Sequence, residues 1–282
     1  MKKIIVGVLI LILALASFSG CAASKAAAGP ETAIAKRIIS LSPADMEILY
    51  AIGAGDSVVG KSDYCDYPSA LSKVESVGES LLPSTEKIVA LKPDLVIAEQ
   101  GLTDQDTLDG IAKLGIKVLS PAPPKSIEGI YDKIKSLGEV SGKNSEAEKL
   151  IADLKQFIVN QEKSNQGKIA KSIYYVIDTG EYGEFAATGD TFINGIITAA
   201  GGDNIAKGAT GWMFSPELLI AADPDFIIGS KLNISKVRAN SSYASLKAVK
   251  ENHLVVVDEN IFSRPTPRAI KEGIVILRDI LK

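Results

Sequence analysis

Residues 84–98, STEKIVALKPDLVIA, and residues 215–229, SPELLIAADPDFIIG, run in step when Glu86 is set on Glu217. Ile88 then meets Leu219, Val89 meets Ile220, Ala90 meets Ala221, Pro93 meets Pro224, Asp94 meets Asp225 and Ile97 meets Ile228. Each stretch reads as a short helix feeding a buried strand. A Ser stands at the N-cap, apolar residues follow at helical spacing, a Pro stops the helix, and a β-branched run comes next. One such corner is ordinary, since Pro-Asp is a common way out of a helix. Two with the same Glu, apolar and Pro-Asp positions, nearly half a chain apart, predict the same unit built once in each half.

The rest of the chain fits two halves. RIISLS (37–42) reads as a strand, and Ser42 caps a helix with Pro43 at its first position, ended by Gly53 and Gly55. DSVVGKS is a short strand, TDQDTLDGIAKLG a helix and IKVLSP a strand. This β–helix–β alternation argues for parallel sheets covered by helices. The rhythm breaks after residue 124. Ile127, Ile130, Ile134 and Leu137 recur at helical spacing, a second amphipathic helix follows in NSEAEKLIADLKQFIVNQ, and no strand intervenes. Alternation resumes with KSIYYVID, a helix from about Asp190 to Ala200, the second corner, HLVVVD and a last helix, TPRAIKEGIVILRDILK.

The N-terminus reads as an address. Lys2 and Lys3 precede an apolar run over residues 4–15 and then ASFSGC, the pattern of an export signal. The run is shorter than the ~20 apolar residues that a bilayer-spanning helix needs. Its FSGC ending resembles the bacterial lipoprotein signal, which implies cleavage of residues 1–20 and lipid on Cys21. The patternless stretch 21–35 then reads as a tether. Cys65 is the only other cysteine, so no disulfide is expected. A net charge of −3 argues against a nucleic-acid partner.

Over residues 36–282 the chain resembles the class III substrate-binding proteins of ABC importers, the receptors for ferric siderophores, haem and cobalamin. The resemblance rests, in order, on RIISLSPADMEILYAIGAGDSVVGKSDYCDYP, EKIVALKPDLVIA, AAGGDNIA, ELLIAADPDFII and SRPTPR. It implies an α/β fold of two Rossmann-like lobes with parallel sheets, 36–124 and 143–282, joined by a long interdomain helix within 125–142, from Ser126 to about Ser141. It also implies ligand in the cleft between the lobes and small domain closure. Glu86 and Glu217 fall where family members carry the exposed glutamates that dock onto arginines of a permease dimer, itself coupled to an ATPase. In the first turn of a helix each Glu also complements the macrodipole, worth ~0.3–1 kcal/mol. That accounts for either Glu but not for their matched placement.

The implied cargo is a metal chelate, first an iron(III)-siderophore and alternatively a corrinoid or haem. Tyr64 matches a ligand-facing Tyr of cobalamin receptors, and Trp212 lies near where those receptors carry a Trp. Other cleft tryptophans of those receptors are Ser80 and Glu99 here. Tyr182 and Phe185, in GEYGEFAATGD, are candidate cleft aromatics or core residues, since flat aromatic walls suit a large rigid chelate. Arg264 and Arg268 flank PTP at the start of the last helix. Arg264 is the candidate for an anionic group of the ligand, while Arg268 opposes the helix dipole and needs another partner, ligand or carbonyl. The Asp190–Thr191 helix start is a further candidate.

Direct metal binding is not expected, because His253 is the only His and sits at the mouth of a strand. G-x-S-x-G, a P-loop and H-E-x-x-H are absent, and GAGDSVVG has misspaced glycines for a dinucleotide site. A surface-anchored enzyme is therefore a remote rival, and a surface adhesin leaves the paired Glu corners unexplained. The expectation is an exported, lipid-anchored, monomeric receptor with no intrinsic cofactor.

Overall fold

The computed structural model describes residues 34–180 and 183–282. The expected signal peptide, Cys21, most of the expected tether, and Tyr182 lie outside the described residues. Ile34 and Ala35, assigned to the tether, already belong to the fold: Ala35 is buried and its N–H donates to the Val140 carbonyl at 2.8 Å. No helix among the described residues is long and apolar enough to cross a membrane.

The first lobe is built on a five-stranded parallel sheet. Its strands are β1 (Ile38–Ser40), β2 (Val58–Lys61), β3 (Glu75–Ser76), β4 (Leu95–Ile97) and β5 (Lys117–Leu119), in the order β3-β2-β1-β4-β5. Every residue of β1 and β4 is buried, as expected of central strands covered on both faces. Three helices cover them: α1 (Pro43–Ala51), α2 (Thr85–Ala90) and α3 (Gln105–Lys113). Ser42 starts α1 as expected, its hydroxyl accepting from the Asp45 N–H with Pro43 next to it. Strand order reverses between β1 and β4, so a crevice opens at their C-terminal ends, where α/β sheets take ligands.

Two helices follow without a strand. α4 (Ile127–Ser141) begins at Ser126, whose hydroxyl accepts from the Gly129 N–H, and ends at Gly142 with φ 70°. α5 (Asn144–Asn165) runs back along it. α4 packs on α1 in the first lobe and on α6 (Phe192–Ala199) in the second.

The second lobe differs from the expected all-parallel sheet. β6 (Lys171–Gly180), β9 (Phe226–Gly229) and β10 (Leu254–Val256) are parallel, but β7 (Gly183–Ala186) turns back on β6 as an antiparallel hairpin. β8 (Gly202–Asn204) pairs with the start of β6. Neither β7 nor β8 stands out in the sequence, because both are short and broken by Gly. α7 (Pro216–Ala222) belongs to the second corner. α8 (Lys231–Ala239) has no counterpart in the sequence reading, its apolar signal being only Ile234 and Val237 on the buried side. After α9 (Lys247–Lys250) and α10 (Glu259–Phe262), the last helix is not uniform. A π-helical turn, Ala269–Gly273, leads into α11 (Ile274–Ile280). Gly273 packs there so closely that a Cβ would meet Ile196 and Phe262 at 3.3 Å.

Each sheet has an outer face with its own apolar cluster, around Ile39, Val96 and Leu108 in one lobe and Tyr174, Ile227 and Tyr243 in the other. The inner faces share a single core. Ile38, Met46 and Leu95 connect through Ile130, Ile134 and Leu137 of α4 to Ile173, Ile196 and Phe262.

Candidate functional site: the interlobe cleft and the paired corners

The segments leaving the C-terminal ends of β1 and β2 meet the segment that follows β10, so these strand ends open onto one cleft. Glu47 of α1 joins the two sides. Its side chain is only 2% exposed, and it receives Arg268 through Nε at 3.0 Å and Nη2 at 2.7 Å, and Arg264 through Nη1 at 3.2 Å. Arg264 also donates to Asp66, to the Tyr64 carbonyl at 3.4 Å and to Asn260 Oδ1 at 2.9 Å. The Arg264 guanidinium holds the Asp66 carboxyl below the usual carboxylate range. Arg268 also stacks on the Tyr67 ring, 4.1 Å from its centre.

This answers the question posed by a cation in the first turn of the last helix: Arg268 is there for Glu47. Arg264 is already matched in charge by Glu47 and Asp66, so a ligand carboxylate would compete with two protein carboxylates. Glu47 could not be found from sequence, because its partners lie more than two hundred residues away.

Of the expected aromatics, Tyr64 projects from the turn after β2 and is 56% exposed. Trp212 is 42% exposed and adopts φ 70°, a left-handed conformation that a non-glycine residue enters at a cost of about 1–2 kcal/mol. Hydrogen bonds hold it there. Its N–H donates to Thr188 Oγ1 at 3.2 Å, its carbonyl accepts from the Ala186 N–H at 2.7 Å, and Asp190 accepts from Thr188 Oγ1 and the Gly211 N–H. Those bonds keep the Asp190 carboxyl below its usual range. Asp190 thus fixes the turn that presents Trp212, and Thr191 caps α6. Phe185 is half-buried on β7 and bridges to Met213. Ser80 is buried, its hydroxyl donating to the Leu41 carbonyl at 2.6 Å, so it belongs to the wall behind the cleft.

Glu99 follows β4 at the crevice, its side chain 25% exposed, with Lys133 Nζ 3.8 Å away. Lys133 in turn lies 2.7 Å from Asp45 Oδ1, and both are buried. Of the trio the resemblance points only to Glu99; the one local signal of the other two is that Lys133 stands in the same helical stripe as Ile130, Ile134 and Leu137.

The two corners repeat each other's main contacts. Ser84 Oγ accepts from the Lys87 N–H and Ser215 Oγ from the Leu218 N–H. Ile88 and Leu219 are fully buried. Lys92 and Asp223 leave the helices with φ 48° and 40°. Asp94 accepts from the Lys36 and Arg37 N–H groups at the start of β1, and Asp225 from the Ser172 N–H at the start of β6. Glu86 and Glu217 are exposed in the first turns. A bond from its own N–H, and the Ser215 hydroxyl, keep the Glu217 carboxyl below its usual range.

His253 stacks on Phe226, with ring centres 4.8 Å apart, at the sheet edge away from the cleft. Among the described residues no group of three or more His, Cys, Asp or Glu side chains is placed to hold a metal ion. Cys65 is buried, and burial pushes its thiol pKa up.

A family model described as periplasmic binding protein matches residues 38–261. The chain belongs to this family. A Bacillus subtilis (strain 168) protein, the uncharacterized ABC transporter substrate-binding lipoprotein YvrC, is 31% identical over 85% of this chain and 77% of its own length. The vitamin B12-binding protein of Photorhabdus laumondii is 30% identical over 83% of this chain and 84% of its own length. A crystal structure from Staphylococcus epidermidis, described as a possible iron-binding (periplasmic solute-binding) protein, superposes with a TM-score of 0.78 at 27% identity, covering 87% of this chain and 98% of that one. The resemblance to class III binding proteins and the two-lobed α/β fold class are thereby borne out, and the relatives are binding proteins rather than enzymes.

Proposed function

We propose that this chain is the lipid-anchored, extracytoplasmic receptor of an ABC importer, capturing a metal chelate between its lobes and delivering it to a permease dimer. The observation that carries this reading is the matched pair of corners. Capping, burial and strand anchoring explain the Ser, the Ile88/Leu219 position and the Asp, but not the two exposed glutamates, and a partner with two similar subunits gives both a use. Exposed Tyr64 and Trp212, both in turns, support a ligand surface between the lobes.

An iron(III)-siderophore is the first cargo to test, in line with the iron-binding description of the Staphylococcus structure. A corrinoid is the second reading, favoured by the vitamin B12-binding relative together with the exposed Tyr64 and Trp212. The chain has one tryptophan, so its fluorescence reports a single place. The purified protein is titrated with a ferric hydroxamate, a ferric catecholate, haem and cobalamin. Saturable quenching by one of them names the ligand class. Silence from all four, confirmed by calorimetry, overturns the chelate reading.

A further inference from the structure

The Asp45–Lys133–Glu99 trio sits where the strand order of the first sheet reverses. Asp45 comes from the first turn of the helix after β1, Glu99 from the residues just after β4, and Lys133 from the helix that joins the lobes. Asp45 is fully buried, and the Lys133 side chain is 4% exposed. Their 2.7 Å contact is close but poorly aligned, so neither Asp45 oxygen nor the ammonium makes a directed hydrogen bond. A buried ion pair of this kind is no better for stability than apolar residues of the same volume. Lys133 lies among Ile130, Ile134 and Leu137, where an apolar side chain would pack without desolvating a charge. Stability does not account for the trio.

Its charge count and exposure do. Lys133 lies 2.7 Å from Asp45 and 3.8 Å from Glu99, so one ammonium serves two carboxylates and the trio keeps a formal charge of −1, its most exposed member being Glu99, just after β4 at the crevice. We propose that Glu99, backed by Lys133 and Asp45, is a specificity-determining site on the first lobe's wall of the cleft, taking a cationic or N–H-rich group of the cargo, an ammonium or an amide. The assignment rests on the chelate-receptor reading and narrows it. A cargo carboxylate there would be repelled by Glu99 and kept from Lys133 by burial. Burial raises the Glu99 carboxyl pKa, Lys133 lowers it and Asp45 raises it again. An ammonium arriving beside Glu99 therefore favours the ionised form, and the resulting charge-assisted hydrogen bond is of the stronger kind.

The test uses one ferric trihydroxamate in three forms that differ only at a terminal group: free ammonium, acetylated and succinylated. Binding of each is measured by calorimetry on the whole protein and on Glu99→Gln, an isosteric change whose folding is checked by its melting temperature. The wild type should prefer the ammonium form over the acetylated form by about tenfold, with the succinylated form weakest, and Glu99→Gln should bind all three alike. Equal affinities in the wild type, or tightest binding of the succinylated form, overturn the assignment and leave the receptor reading intact. If cobalamin is the chelate that binds, its amides take the ammonium's place: Glu99→Gln should weaken it about tenfold, and unchanged affinity overturns the assignment. Failure of the trihydroxamates, a ferric catecholate, haem and cobalamin alike overturns the receptor reading and this assignment with it.

Discussion

The two corners share the contacts that build them and one exposed glutamate that those contacts do not call for. In both, a Ser caps the helix, one apolar residue is sealed beneath it, a left-handed residue ends it, and an Asp fastens the start of the lobe's central strand. The differences lie just upstream. The first corner is preceded by exposed Leu81 and Leu82, the second by exposed Trp212 and Met213. Only the second has the strained turn that Asp190 and Thr188 hold together. The buried and capping features shared by the corners mark what each lobe needs in order to fold, the two glutamates apart; the upstream pairs are free to serve different neighbours.

Cutting the tie between the lobes should have the largest effect on stability. Glu47→Ala leaves Arg264 and Arg268 with a missing carboxylate in a mostly buried place, and loss of about 3–5 kcal/mol is expected, read from urea unfolding. Next comes a break in what the corners share. Replacing Glu86 and Glu217 together by Ala should lower transport or permease affinity by at least about thirtyfold while chelate affinity is unchanged; normal transport by the double variant sinks the docking reading.

Matched replacements then sharpen the contrast. Lys92→Gly relieves a left-handed backbone without losing a side-chain bond, and a gain of roughly 0.5–1 kcal/mol should appear as a higher melting temperature. Asp223→Gly should gain less, since Asp223 Oδ1 also accepts the Lys247 N–H at 2.7 Å. The smallest effect is confined to acid. The Lys247 ammonium and the Ser172 donors hold the Asp225 carboxyl at about 2, below its ordinary 3.8. Its folded pKa is depressed, so its contribution is complete above pH 3.8 and is lost as pH falls through 2. Asp225→Asn should therefore flatten the melting temperature between those values and lower it above them.

The corners were legible because each is local: cap, apolar position and Pro-Asp all lie within fifteen residues. α4 was legible for the same reason, bounded by Ser126 and Gly142 with an apolar stripe between. α8 was not, because Asn233 and Ser235 are weak helix formers and only Ile234 and Val237 mark an apolar side. The β6–β7 hairpin was missed because its return strand is four residues long and opens on a glycine. In the cleft, aromatic side chains in turns could be read as exposed. The charged groups could not be paired, since Glu47 finds Arg268, and Asp45 finds Lys133, only through tertiary packing. The resemblance placed Glu99 in the cleft but said nothing of the lysine behind it.

The shared inner core has a consequence for how the molecule comes apart. Ile130, Ile134 and Leu137 are sealed by residues from both halves, so neither half alone can bury them. A chain severed between α4 and α5 would leave that stripe in water, and the pieces would associate or precipitate. Calorimetry on the intact protein should accordingly show a single endotherm whose van't Hoff and calorimetric enthalpies agree. Two similar corners thus belong to one thermodynamic unit, and a substrate's grip on one wall is felt in the melting of both.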